Sequence, residues 1–191
     1  SQPFSGISFI MASNKKPVGV VPLGEVPEIV LKVIADHITR CFKLSTQILP
    51  SLEQPEYALD ERRLQYNAGI IIERFESIHF SDLDKVVAIL NQDLFIPIFT
   101  HVFGEARQGG KCGLVSLFRL VKNPDGSSPL KSLIHERAAK VALHELGHLF
   151  DLLHCEHKQC LMHFSGSIEE LDEMSFHLCE YCSIYLQDKL R

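Results

Sequence analysis

Residues 144–155 read His-Glu-Leu-Gly-His-Leu-Phe-Asp-Leu-Leu-His-Cys, so three histidines and a glutamate fall within one short run. His144 and His148 are four apart, so on a helix both rings leave the same face and can bind one ion through imidazole nitrogens. Glu145 is directed beside that face. His154 lies six residues beyond His148, where a chain that has left the helix can return to the ion. Three ligands leave the fourth position of a tetrahedral ion open to water, and a glutamate beside it can take that water's proton. The chemistry this set points to is zinc-assisted hydrolysis.

A second group starts at the next residue, where Cys155 and Cys160 are followed by Cys179-Glu-Tyr-Cys182. Two pairs of thiolates fit a closed tetrahedral zinc site, which is structural because no position remains for substrate. Cys182 is expected to open a helix whose N-terminal amides stabilise thiolate charge. The expected complement is two zinc ions per chain, one catalytic and one structural.

The run His144-Glu-x-x-His148-x5-His154-Cys155-x4-Cys160-x-Met162, closed by Cys179-x-x-Cys182, resembles the archaemetzincins, a branch of the metzincin metallopeptidases. Segments 91–95, 102–106 and 115–119 are similar to strand segments of that family, so the resemblance covers most of the chain. It implies His144, His148 and His154 as catalytic zinc ligands and Glu145 as general base on a zinc-bound water. It also implies Met162 as the methionine of the turn beneath the metal, and Cys155, Cys160, Cys179 and Cys182 as the structural zinc site. The implied fold is α/β (α+β type): a mixed twisted sheet with an edge strand lining the cleft, packed by helices that include the zinc-binding one. The implied activity is that of a zinc metallopeptidase acting on peptides or proteins.

Three departures stand out. Asp151 occupies the position where metzincins carry the glycine that ends the helix. Aspartate tolerates left-handed backbone better than most residues, so the turn is expected to form with modest strain, its carboxylate either bonding a ligand histidine or facing solvent. Phe164 stands two residues past Met162, where some metzincins have a tyrosine, so no phenol is on hand there. The gap from Met162 to Cys179 is slightly shorter than the common family spacing, which a surface loop absorbs.

The elements that must position these residues alternate between strand and helix. Val18–Pro22 is an apolar strand, followed by a helix over about 26–41 with apolar residues at helical spacing. Residues 42–48 alternate like a strand, and a second helix is expected over about 60–78, with Leu64, Ile71, Ile72, Phe75 and Ile78 on one side. Lys85–Leu90 reads as a buried strand, with further strands at Thr100–Ala106 and Gly113–Leu120. The resemblance to metzincins makes the first of these two the edge strand, and hence the expected peptide platform. Ser127-Ser-Pro-Leu should cap a third helix running to about 150 that carries the metal ligands. Phe99, His101, Phe103 and Arg119 are placed along the cleft, and His157, His163 and His177 in loops.

With 191 residues and 46% apolar content the chain can bury one sizeable core. A single catalytic domain is expected, divided into about 11–153, holding the sheet and active-site helix, and 154–191, holding the Met-turn and the cysteines. Residues 1–10, ahead of Met11, are set apart as a candidate leader segment. The net charge of −5 is mild and no basic stripe occurs, which argues against nucleic acid and anionic membranes as partners. No apolar run approaches the roughly 20 residues that span a bilayer. Cys41 and Cys112 read as buried free thiols, so a monomer in the reducing cytoplasm is expected. Two competing readings share these motifs: a zinc-stabilised peptide-binding or regulatory module with little catalysis, and a thiolate-rich zinc-handling protein.

Overall fold

The computed structural model describes residues 15–191, so the candidate leader lies outside the described residues. The strands are β1 (Val18–Leu23), β2 (Thr46–Ile48), β3 (Leu59–Asp60), β4 (Gln65–Asn67), β5 (Val86–Leu90), β6 (Leu94–Ile96), β7 (Phe99–Val102), β8 (Gly104–Ala106) and β9 (Cys112–Ser116). The α-helices are α1 (Glu28–Phe42), α2 (Ala68–Glu76), α3 (Lys131–Leu149), α4 (Ile168–Glu173) and α5 (Glu180–Lys189).

The main sheet has the order β2-β1-β5-β9-β8 and is parallel except for its last strand, β8, which runs antiparallel to β9. β1, β5 and β9 are buried along their whole length because helices cover both faces, which is why their sequences read as continuous apolar runs rather than alternating ones. α2 packs on one face through Ile71, Ile72 and Phe75, against Leu90 and Leu114. α1 and α3 pack on the other, where Ile34, Ile38, Ala142 and Leu146 meet Val87, Ile89 and Val115. A smaller sheet, β3-β4-β6-β7, continues the rim that β8 begins. The mixed α/β fold expected from the sequence is the one observed.

The helix expected over 60–78 is shorter. Residues 59–67 form a hairpin instead, because the Asp60 carboxylate accepts the backbone N–H groups of Arg62 and Arg63 and turns the chain. Leu64 sits at a φ of 54° and is exposed, and the helix begins only where the Asn67 side chain accepts from Ile70 N. The strand expected from residue 42 starts at Thr46, since α1 persists to Phe42 and ends on a left-handed Lys43. Residues 99–106 are two strands in two sheets rather than one. Ser127 does not cap α3: it closes a turn with Asn123 and Asp125, and α3 starts beyond Pro129 with no side-chain cap. Cys182 lies inside α5, whose N-cap is Cys179.

Arg137 fastens α3 to the segment that follows the metal ligands. Its buried guanidinium grips both oxygens of Asp172 on α4 at 2.7 Å and donates to Leu120 O at 2.9 Å. Lys140, one turn on, donates to the Leu171 and Asp172 carbonyls. Buried charges held this completely fix α4 relative to α3.

Candidate metal centres and cleft

α3 delivers His144 and His148 to one side and must then stop so that His154 can return. It ends in a Schellman turn: Leu152 N donates to Gly147 O, and Asp151 N to His148 O, both at 3.0 Å. The residue that must be left-handed in that turn is Asp151, with a φ of 67°. Its carboxylate contacts no ligand histidine. It accepts from Lys189 Nζ on α5 at 3.0 Å, an exposed ion pair that joins the turn to the last helix.

The three imidazoles converge through Nε2, with His148 Nε2 lying 3.1 Å from His144 Nε2 and 3.2 Å from His154 Nε2. These are not hydrogen bonds for the first two rings. His144 Nδ1 faces Leu161 O at 2.8 Å and His148 Nδ1 faces Leu152 O at 2.7 Å, and a carbonyl can only accept, so each Nδ1 carries the proton. Their Nε2 lone pairs therefore point at each other, an arrangement that repels unless a cation lies between them. Tetrahedral zinc with bonds of 2.0–2.1 Å would separate its nitrogens by about 3.3 Å, so the set fits that ion with little movement. Burial, then the neighbouring His148, holds His144 down at about 3; burial also lowers His148 and His154. All three rings are thus neutral and ready to ligate at neutral pH.

The four cysteines form the second group. Cys155, Cys160, Cys179 and Cys182 bring their sulfurs within 4.8 Å of one another, and Cys155 Sγ is 3.8 Å from Cys179 Sγ. Zinc–sulfur bonds of 2.3 Å in a tetrahedron imply a spacing of about 3.8 Å. The Cys182 N–H lowers the Cys179 thiol, whereas burial raises Cys160 and Cys182, so a cation is what would hold all four as thiolates. His163 Nδ1 bonds Cys155 O and is in neither group, and His157 and His177 also remain outside both.

Glu145 lies beside the histidines with its carboxylate against β8. A Cβ on Gly104 would stand 2.6 Å from Glu145 Oε1, so the strand approaches this closely only because residue 104 has no side chain. Burial, then the Glu105 carboxylate, raises Glu145 well above the usual carboxylate range; a cation among the histidines acts in the opposite direction. A second close approach holds the floor: a Cβ on Gly147 would overlap Met162 Sδ, so this glycine admits the buried methionine beneath the helix.

These groups open into a cleft of about 500 Å³. β8 lines one side, and Val141, Leu171 and Met174 supply apolar wall. Phe103 O accepts from Ser116 N, so by antiparallel alternation the backbone N–H and C=O of Gly104 and Ala106 point away from β9. Phe99, His101 and Phe103 line the cleft as expected. Arg119 does not: Asp93 holds its guanidinium by two bonds of 2.7 Å. The sequence reading missed Gly104, Gly147 and the two carbonyls that orient the histidines. Only Gly147 left a trace, as a glycine inside a helix, where it costs about 1 kcal/mol relative to alanine.

The chain matches the model of peptidase family M54 over residues 25–188. It is 35% identical over 170 residues to an archaemetzincin of Methanocaldococcus jannaschii, covering 89% of this chain and 92% of that one. It is 36% identical over 178 residues to an archaemetzincin of Pyrococcus furiosus, covering 90% and 92%. The crystal structure of an archaemetzincin from Methanopyrus kandleri superposes with a TM-score of 0.83 at 29% identity, over 95% of this chain and 98% of that one. That of an archaemetzincin from Archaeoglobus fulgidus, complexed with malonate, gives 0.76 at 27% identity over 88% and 99%. Together with the two ligand groups and the edge strand, these matches assign the chain to peptidase family M54, the archaemetzincins.

Proposed function

We propose that this chain hydrolyses peptide bonds with one zinc ion on His144, His148 and His154, Glu145 as general base, and a second, structural zinc on Cys155, Cys160, Cys179 and Cys182. The observation that carries the reading is the convergence of Nε2 lone pairs beside a carboxylate, in a cleft whose rim is an unpaired strand edge. When bound, zinc supplies the positive charge that polarises an amide carbonyl and lets water attack it near neutral pH. Glu145 Oε1 takes the proton of the attacking water and passes it to the leaving nitrogen, which the cleavage of an amide requires. Gly104 and Ala106 hold the substrate backbone by strand addition. Phe164 offers no donor to the developing oxyanion, so backbone N–H groups must serve.

The chain divides near residue 153 into a sheet-bearing part and a smaller part that the cysteine site holds together. It works as a monomer in the cytoplasm. Four cysteines grouped for metal, together with half-buried Cys41 and buried Cys112 as free thiols, support a reducing compartment, and no helix among the described residues is long and apolar enough to cross a membrane. The test is cleavage of a quenched peptide library by the wild type and Glu145→Ala, with zinc measured on both. Turnover lost in the variant at unchanged zinc content supports the peptidase. Absence of turnover in a wild type carrying zinc at the histidines refutes it in favour of a peptide-binding module.

A further inference from the structure

Phe99 on β7 and Phe164, just past Met162, face each other across the cleft. Their ring centroids are 5.8 Å apart with an interplanar angle of 27°, and Phe164 also meets the His154 ring edge-on at 5.3 Å. Both rings are about half exposed although they touch, as expected of side chains that span an opening rather than fill a core. Each is carried on a separately braced segment. Thr100 O accepts from Gln65 Nε2 at 2.9 Å and from Arg63 Nη2 at 3.1 Å, which pins the strand that bears Phe99. On the other side, Gly166 N donates to Glu170 Oε2 at 2.7 Å, and Ser167 caps α4.

The same bonds end the peptide platform. Gly104 and Ala106 turn free backbone groups outward, but the carbonyl of Thr100 is already taken by side chains of this chain. An extended peptide thus finds backbone partners beside Glu145 and towards Ala106, and meets satisfied carbonyls and an aromatic pair towards Phe99. From Gly104 to Phe99 is about 16 Å of extended chain, and the rings occupy the far part of it.

We propose that Phe99 and Phe164 form an aromatic bar across one end of the cleft, confining cleavage to bonds within about four residues of a substrate terminus. The inference rests on the peptidase reading and specifies which substrates that site accepts. A polypeptide with no nearby end must part the rings to bind, losing their contact, which should weaken it by roughly three- to tenfold. A chain whose terminus stops short of the bar loses nothing.

The test compares random-sequence peptides of about 20 residues in linear form with the same pool cyclised head to tail, which has no terminus. Binding is measured by fluorescence anisotropy on zinc-replete Glu145→Ala protein, so that nothing is consumed. Linear peptides should bind roughly three- to tenfold more tightly than cyclic ones, and Phe99→Ala should bring that ratio within about twofold. Phe164→Leu, which keeps packing on His154, should lower it in the same direction. In mass spectra of the linear pool, the Glu145-containing protein should cut near one terminus, and the Phe99→Ala form further inward. An identical linear-to-cyclic ratio with and without Phe99, or cuts spread evenly along the chain, overturns the bar while leaving the peptidase intact. Terminus-selective binding without cleavage sinks the peptidase and keeps the bar. Failure of both pools to bind overturns the bar.

Discussion

Replacing Gly104 by alanine should separate the placement of the general base from metal binding. The new Cβ would lie 2.6 Å from Glu145 Oε1, 2.8 Å from Glu145 Cγ and 2.7 Å from Val141 Cγ1. Ordinary contacts start near 3.5 Å, so something must move by about 1 Å. β8 cannot retreat without breaking its pairing with β9, and even a Cβ on Gly113 of the neighbouring strand would stand 3.4 Å from Glu145 Cβ, so the glutamate has little room on that side either. Gly104 is not among the residues of positive φ, so alanine suits the backbone and the whole effect is one of crowding. A displacement of about 1 Å in a catalytic group costs on the order of a hundredfold in rate. The expected result is a fall of about that size in kcat, little change in KM, both ligand groups fully loaded with zinc, and a stability loss of about 1–3 kcal/mol. Adding Val141→Ala relieves one clash and not the other. The double variant should regain stability relative to the sum of the single changes without regaining rate. Retention of more than about a third of the wild-type kcat, or rescue of kcat by Val141→Ala, would refute the placement of Glu145 against this strand.

Three further outcomes follow from the geometry. Asp151→Gly should keep the histidine zinc and raise stability by up to about 1 kcal/mol in a denaturant titration, because relief of left-handed backbone outweighs the loss of an exposed ion pair; a drop in zinc content would contradict this. The metal-free chain should lose stability as pH falls. Below pH 6.5 the unfolded chain protonates His144 while the folded chain, with that ring held at about 3, does not, so roughly 3 kcal/mol should disappear between pH 6.5 and 4. A pH-independent unfolding midpoint over that range would show that the ring is not buried as described. Cys160→Ser should remove one zinc equivalent and selectively raise hydrogen exchange in α5, leaving β1, β5 and β9 protected. Uniform loss of protection would mean that the cysteine site holds the whole fold.

The ligands were legible in the sequence because helical spacing alone aligns His144 with His148, and because paired cysteines have little other use in a reducing chain. Buried strands were legible for a similar reason: Val86–Leu90 is apolar throughout, and only a sheet covered on both faces makes that comfortable. The hairpin at 59–67 was hidden because apolar residues happened to fall at helical spacing while one carboxylate, Asp60, decided the turn. The start of α3 was misplaced by Ser127, which serves a neighbouring turn. The close approach at Gly104 and the pairing of Phe99 with Phe164 could not be read, since both lie in contacts with segments more than thirty-five residues away.

The most direct test of two distinct ions, with chemistry at only one, is to follow peptide turnover while zinc is added stepwise to metal-depleted protein, with thiolate–metal absorbance recorded in parallel. One equivalent should saturate the thiolate signal without turnover, and activity should appear only as a second equivalent binds. Full turnover at one thiolate-bound equivalent, or none at two, would contradict this division of roles.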